Sequence, residues 1–428
     1  MSKPLRLGLA GLGTVGVGVI RVVQKHADLL SARAGREIEI SAVSARSRSR
    51  DRGVDLSGYA WVDDPVALAT RDDIDVFVEL MGGEDGPAKA ATEAAIAAGK
   101  HVVTANKAML AVHGQALAEA AETANVALRF EAAVAGGIPV IKALTEGLAG
   151  NRINRVMGVM NGTCNYILTR MENEHVAYDQ VFADAQALGY LEADPNLDVG
   201  GIDAGHKLAL LASIAFGTKV NFDGVQLEGI QRISITDIEQ AADMGFRIKL
   251  LGVARLTGRG LEQRMQPCLV PVDSPLGQLQ AATNMVVIEG DSVGQVVLRG
   301  AGAGEGPTAS AVMGDVMDIA RGFRLSTFGQ KATSLVAVQP AQAATPAAFY
   351  LRLTLKDAPG VLHKITGALA DAGVSIDRMR QYSHRDTAAP VLMVTHKTSR
   401  AELDHAIEGI VATGVTLEHP VAIRIEEV

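Results

Sequence analysis

Cysteine is scarce in this sequence: its 428 residues contain two, Cys164 and Cys268. Two thiols cannot build a disulfide framework, or a tetrahedral metal centre without several histidines, and a reducing, cytoplasmic setting is the simplest expectation. Basic charge is also in short supply. The 40 Lys and Arg are outnumbered by 48 Asp and Glu, a formal net charge of −8. That argues against a nucleic-acid partner, because a phosphate backbone attracts a basic face. Long apolar runs are missing too, none approaching the ~20 residues that span a bilayer, so no membrane partner is expected. Residues 7–20 follow Lys3 and Arg6 in the manner of a secretory leader. However, Gly8, Gly11, Gly13, Gly16 and Gly18 would weaken a leader helix, so the run is read as part of the fold. What remains is ordinary for a folded protein, 48% hydrophobic and 21% charged, with length enough for several domains at about 100–200 residues each.

The fold class expected is α/β. Residues 1–134 alternate short apolar strands with alanine-rich helices, the pattern of a parallel sheet covered by helices. Strands are expected over 5–10, 38–43, 75–80, 101–104 and 126–130. Helices are expected over 87–98, closed by Gly99, and over 108–124, and Pro65 starts another after Asp63 and Asp64. Over 135–304 the texture changes. Strand-like runs at 155–160 and 286–289 accompany a long helix over 202–216, which suggests an α+β substrate and dimerisation domain. A glycine-dense segment, Gly300 to Gly306, precedes a helix expected over 307–322, and residues 305–338 are expected to complete the first domain. The uncharged stretch 339–348, QPAQAATPAA, has the composition of a linker. Residues 349–428 then read as an independent unit. Its strands over 349–355, 375–382, 390–395 and 422–426 and helices over 362–372 and 400–412 give the ferredoxin-like order βαββαβ.

The turn Gly11-Leu12-Gly13-Thr14-Val15-Gly16 joins an expected strand to an expected helix, the context a dinucleotide fingerprint requires. Gly11 permits the tight turn, Gly13 lets backbone N–H groups approach a pyrophosphate, and Gly16 lets the helix pack on the strand. The positive end of the helix favours phosphate. After the second strand the chain reads Ser44-Ala45-Arg46-Ser47-Arg48-Ser49-Arg50, with no carboxylate before Asp51. Arginine suits a ribose 2′-phosphate, so NADP is favoured over NAD; a solvated basic loop that still accepts NAD is the alternative.

The most informative stretch runs from Gly189 and Tyr190 to Leu208. It carries Glu192, Asp194 and Asp198 on a loop broken by Pro195, then Asp203 and Lys207 at i and i+4 on one helix face. An acidic loop can be merely solvated. A carboxylate–lysine pair at the mouth of an apolar helix can equally place a proton donor at a buried polar pocket. Cys164 is the one thiol near candidate chemistry, but it has no histidine close in sequence and is read as non-catalytic.

Together with Val103-Thr104-Ala105-Asn106-Lys107, Glu131-Ala132-Ala133-Val134-Ala135-Gly136-Gly137-Ile138-Pro139 and Asn161-Gly162-Thr163-Cys164-Asn165-Tyr166, these stretches occur in the order seen in homoserine dehydrogenases. The chain resembles the bacterial single-function type with a C-terminal ACT domain, over nearly its whole length. The resemblance implies reversible, NAD(P)-dependent interconversion of L-homoserine and L-aspartate 4-semialdehyde. It implies Lys207 as proton donor and acceptor, Lys107 as a second lysine near nicotinamide and substrate, and Asp203 as the group that orients Lys207 or the substrate. Glu192 would take the substrate's ammonium with Asp198 assisting, and Gly189 and Tyr190 would border the substrate. Thr104, Asn106, Gly302 and Glu305 would lie near the cofactor. Glu131, Val134, Gly136 and Ile138 match positions where the family holds a monovalent cation, typically sodium; read alone, they are a strand entering a Gly-Gly-Ile-Pro turn. Asp357, Gly360, Val361 and Leu362 resemble the effector turn of an ACT domain, for which L-threonine is the expected ligand. Such domains pair through their sheets, which implies a homodimer or homotetramer, and dimerisation alone is the other role open to the tail. Removal of everything after Gln339 is expected to leave catalysis and abolish threonine sensitivity. A non-catalytic amino-acid sensor is the competing class, disfavoured by the intact Glu192, Asp203 and Lys207.

Overall fold

The computed structural model describes residues 3–191, 194–381 and 388–428, organised around two sheets. The first contains β1 (Leu5–Ala10), β2 (Ile38–Ser44), β3 (Ala60–Trp61), β4 (Val76–Glu79), β5 (His101–Thr104) and β6 (Leu128–Arg129), all parallel in the order β3-β2-β1-β4-β5-β6. Its central strands are apolar on both faces because helices cover both. Leu7, Leu9, Val76, Val78 and Val103 are all fully buried. The strand order reverses between β1 and β4, and the crevice outside their carboxyl ends is where such a sheet takes ligands.

Helix Thr14–Lys25 follows β1 and crosses helix Glu305–Ala320 at Gly18, where a Cβ would lie 2.8 Å from Glu305. The absence of a side chain there lets the later segment return onto the first sheet. That helix starts at Glu305, two residues before the sequence suggests. The glycine-dense segment is shorter than expected, because Gly300 and Ala301 are already strand, paired with Asn284 and Thr283.

The second sheet contains β7 (Ile153–Val159), β8 (Gln226–Leu227), β9 (Phe246–Thr257), β10 (Gly260–Pro271), β11 (Thr283–Gly290), β12 (Gly294–Ala301), β13 (Phe349–Lys356), β14 (Ile376–Gln381), β15 (Ala388–Thr395) and β16 (Val421–Ile425). Its order is β12-β11-β7-β9-β10-β16-β13-β15-β14, with β8 beside β10. With helices Val361–Asp371 and Arg400–Ala412, the last four strands form the expected ferredoxin-like unit; Tyr382, the expected end of its second strand, lies outside the described residues.

That unit is not independent. Strand β16 pairs in parallel with β10, Arg424 opposite Cys268 and Ile425 opposite Leu269. The junction is sealed by buried charge: Arg264, 2% exposed, reaches Glu262 and Glu426 at 2.7 Å each. Nor is 339–348 a free tether. Leu261 donates to the Gln339 carbonyl and accepts from Ala341, both at 2.9 Å, and Thr345 donates twice to Glu262 at 2.8 and 3.0 Å. Among the described residues no helix is long and apolar enough to cross a membrane.

Candidate active site

At the carboxyl end of β1, Gly11 has φ +99°, and a Cβ there would stand 2.4 Å from the Leu80 carbonyl oxygen. A Cβ on Gly16 would stand 2.1 Å from the Gly11 carbonyl oxygen, whereas one on Gly13 would meet open space. Two of the glycines are therefore required by the protein's own packing, and the third faces a vacancy that a ligand's phosphates can approach. No side chain caps the helix that follows, so its first N–H groups remain available to an anion. Thr14 is exposed at its start and Val15 packs against the core.

A cavity of about 800 Å³ opens beside this turn, bordered by Gly11, Gly13, Arg46, Arg50, Met81 and Gly82 among others. Among the described residues the Arg46 and Arg50 side chains have no ion-pair partner. Arg52 is committed: it donates to the carbonyls of Leu12, Arg50 and Ser47 and lies 5.6 Å above the Trp61 ring. It staples the basic loop to the glycine turn.

Helix Lys107–Thr123 starts directly after β5, its first turn capped by Asn106, whose Oδ1 accepts from Met109 N–H at 3.1 Å. Its first residue reaches out of this layer. Lys107 Nζ lies 2.8 Å from Oδ1 of Asp203, while Lys207 Nζ lies 2.7 Å from Oδ2 of the same carboxylate. Asp203 and Lys207 occupy one face of helix Ile202–Phe216, as the i,i+4 spacing suggests. Asp203 is 7% exposed; burial works to raise its carboxyl, but the two lysines outweigh it and hold the group well below the usual range. Lys207 also donates to the Met160 carbonyl at 2.9 Å.

Asp198, likewise buried, accepts from the Asn161 side chain at 2.9 Å. Asn161 also caps helix Gly162–Glu174, accepting from Cys164 N–H at 2.8 Å, so one residue ties the acidic loop to that helix. Gly189 ends helix Tyr178–Ala187 with φ +71°. Tyr190 is half-exposed and stands edge-on to Tyr166 with ring centres 5.0 Å apart, its carbonyl held by Thr163. Glu192 lies outside the described residues. Cys164 is fully buried, burial pushes its thiol well up, and its S–H donates to the Asp198 carbonyl. That is an inert thiol.

Glu131 opens a short 3-10 turn (Glu131–Ala133) after β6, where the sequence reads as strand, and is buried, its two oxygens accepting from Ile141 and Lys142 N–H at 2.9 Å each. Burial, together with Asp315, pushes its carboxyl up to about 7. Val134 and Ile138 are buried around a left-handed pair, Ala135 at φ +56° and Gly136 at φ +50°. Gly136 packs on Gly302, whose carbonyl oxygen would stand 2.5 Å from an added Cβ. Gly302 thus backs the 134–138 turn and is absent from the border of the large cavity. Glu305 pairs with Arg21 and borders a smaller cavity with Gly13 and Thr14.

In the C-terminal unit, Asp357, Gly360, Val361 and Leu362 border one cavity of about 330 Å³. Gly360 has φ +81° at the start of helix Val361–Asp371, which no side chain caps.

Sequence reasoning missed Glu79 and Asn161. Glu79 ends the apolar strand β4 and reads as its solvated tip, yet it is fully buried and accepts from Thr104 Oγ at 2.6 Å. Asn161 carried a usable signal, a capping residue after an apolar strand.

Comparison with known proteins agrees with this organisation. Residues 139–317 match the family model described as homoserine dehydrogenase, residues 11–131 its NAD-binding domain, and residues 349–410 the ACT domain. The homoserine dehydrogenase of Neisseria gonorrhoeae is 45% identical and that of Pseudomonas aeruginosa 42%, each alignment covering 99% of both chains. The crystal structure of a homoserine dehydrogenase from Thiobacillus denitrificans superposes with a TM-score of 0.93 at 40% identity, covering 99% of each chain.

Proposed function

This chain belongs to the homoserine dehydrogenase family, and we propose that it interconverts L-homoserine and L-aspartate 4-semialdehyde, with NADPH preferred to NADH. As a member of that family it is an NAD(P)-dependent oxidoreductase acting on a CH–OH group. The observation that carries the reading is the single buried carboxylate of Asp203 between Lys107 and Lys207.

The glycine turn, the uncapped helix start and the cavity beside them fit a dinucleotide, and Arg46 and Arg50 fit the extra phosphate of NADP. Bound there, the nucleotide supplies the hydride for aldehyde reduction. Lys207 then protonates the oxygen that becomes the alcohol, and takes the proton back in the reverse direction. An ammonium has three donors. Lys207 commits one to Asp203 and one to the Met160 carbonyl, which leaves a third for the substrate oxygen. Asp203 stays ionised and keeps both lysines oriented, and Lys107 approaches the same oxygen from the nucleotide side. Asp198 and Glu192 receive the substrate's ammonium, with Gly189 and Tyr190 bordering it.

Glu131 with the carbonyls of Val134, Gly136 and Ile138 suits a hard monovalent ion such as sodium, one carboxylate among neutral oxygens. L-Threonine is the proposed effector of the cavity bordered by Asp357, Gly360, Val361 and Leu362. A carboxylate there suits its ammonium, and the uncapped helix start suits its carboxylate. Exposed edge strands β12 and β14 at the two ends of the long sheet leave backbone groups open to pairing, which supports a homodimer or homotetramer, and two buried free thiols suit a reducing, cytoplasmic setting.

The test is steady-state turnover of aspartate semialdehyde with NADPH and with NADH, followed by nicotinamide absorbance. Turnover with NADPH, at a higher kcat/KM than with NADH, is expected. A folded protein that binds NADPH and does not turn over would overturn the enzyme reading in favour of a sensor.

A further inference from the structure

Two loops meet at the carboxyl edge of the parallel sheet, 81–83 after β4 and 104–106 around the end of β5. Both are held by one side chain. Glu79 Oε1 accepts from Met81 N–H at 2.6 Å and Gly82 N–H at 3.2 Å, and Oε2 accepts from Thr104 Oγ at 2.6 Å. Thr104 passes the constraint on. Its hydroxyl hydrogen is committed to Glu79, so its lone pairs face away, and one accepts from Asn106 N–H at 2.9 Å. Asn106 closes the circuit: its Nδ2 donates to the Gly83 carbonyl at 2.6 Å, and its Oδ1 caps the helix whose first residue is Lys107.

We propose that Glu79 is a positioning residue for the reaction: through Thr104 and Asn106 it fixes the helix start from which Lys107 reaches Asp203. The inference rests on the role proposed above for Lys107. A loop clamp at the surface would not need a buried carboxyl group. Glu79 is fully buried, and burial raises its carboxyl against the pull of Thr104, Met81 and Gly82. Desolvating a carboxylate is costly, and a neutral amide would satisfy backbone donors at less cost. What the carboxyl group adds is a second oxygen: one accepts from Met81 and Gly82 while the other holds the Thr104 hydroxyl, whose lone pair then stays on Asn106 N–H. Lys107 is where that rigidity has consequences, because its contact with Asp203 joins the starts of two helices that pack on each other, and the position of one start sets the geometry of the pair. A shift of about 1 Å at such a contact is enough to cost one to two orders of magnitude in rate.

Thr104→Val tests this without disturbing the bonds from Glu79 to Met81 and Gly82. The expected result is a fall in kcat of about tenfold with the NADPH KM held within about threefold, and Thr104→Ser restoring kcat, since it keeps the hydroxyl. In a Lys107→Ala background, Thr104→Val is expected to change kcat by less than about twofold, because the group it positions is gone. Glu79→Gln, chosen over alanine so that the fold survives, keeps an acceptor for Met81 and Gly82 but presents an amide N–H to Thr104, and is expected to behave as Thr104→Val does for kcat and KM. An unchanged kcat in Thr104→Val, or an equal loss in the Lys107→Ala background, overturns the proposal alone. Full activity of Lys107→Ala by itself overturns the role of Lys107 and the proposal with it.

Discussion

Lys107 and Asp203 meet at 2.8 Å although one opens a helix of the parallel-sheet layer and the other lies in the first turn of a helix packed on the mixed sheet. The contact joins the layer that carries the glycine turn to the layer built on the mixed sheet. Asp203→Asn keeps the shape and removes the charge, leaving two lysines beside a neutral amide. We expect kcat to fall by about 100-fold or more, in the range typical of losing an oriented acid–base group. Lys207→Ala should do at least as much. Steady-state rates on folded samples check both, and wild-type kcat in Asp203→Asn would remove the carboxylate from the mechanism.

The same carboxylate makes a pH prediction. Its folded-state pKa is depressed, chiefly by Lys207 and Lys107 working against burial. A depressed carboxyl binds fewer protons folded than unfolded, so its stabilisation is present above the ordinary carboxyl range of about 4 and is lost as pH falls through the folded value. Thermal melts of wild type and Asp203→Asn should therefore differ most near neutrality, and the gap should begin to narrow only once pH falls below about 4. A gap that is constant with pH would mean that the substitution acts through packing alone.

Arg46, Arg50 and Arg52 all border the large cavity, but Arg52 spends its donors on backbone carbonyls. Replacing Arg46 and Arg50 together by serine should raise the KM for NADPH about tenfold or more and leave that for NADH within about twofold, since only the former carries the 2′-phosphate. Equal losses for both nucleotides would place the two arginines elsewhere on the ligand.

Local chemistry was legible where neighbours in sequence are neighbours in space. The glycine turn, the pairing of Asp203 with Lys207, and the six elements of the C-terminal unit needed only spacing and composition. Lys107 against Asp203 was not legible as a contact, because nothing local brings those residues together. The β9–β10 hairpin was hidden for a different reason. Strand β10 reads Gly-Leu-Glu-Gln-Arg-Met, which looks solvated, but Glu262 and Arg264 are buried because Glu426 arrives from the far end of the chain to neutralise them. Glu79 went unremarked for the same reason, its side-chain partner Thr104 lying one strand over.

Cys164→Ser should retain most of the wild-type kcat. The thiol is buried, pushed well above its ordinary pKa, and occupied in donating to a carbonyl, a bond that a serine hydroxyl can also make. Thiol-directed alkylation of the native protein should likewise leave activity intact. A 100-fold loss in the serine variant would point to a covalent step.

The junction between the two parts of the long sheet alters how regulation must be tested. Cutting after Gln339 removes β16, its pairing with β10, and Glu426, and opens the buried Arg264–Glu262 pair to solvent. The cut also bares the edge of β10 with its unpaired backbone groups and apolar side chains. A truncated chain that loses threonine sensitivity would therefore also be unstable, and lost activity there says nothing about the effector. Point changes in the effector cavity avoid this. Gly360 sits at φ +81° with no neighbour within 4 Å of an added Cβ, so Gly360→Val places a branched side chain in a strained turn at the helix start. Asp357→Asn removes the charge proposed to meet the ammonium. With both substitutions, kcat without effector should stay within about twofold of wild type, because the cavity lies in the C-terminal unit, apart from the lysine pair. The threonine concentration for half-inhibition should rise at least tenfold, equivalent to about 1.4 kcal/mol of lost binding. Unaltered inhibition in both would place the effector site elsewhere and leave the C-terminal unit as an assembly element.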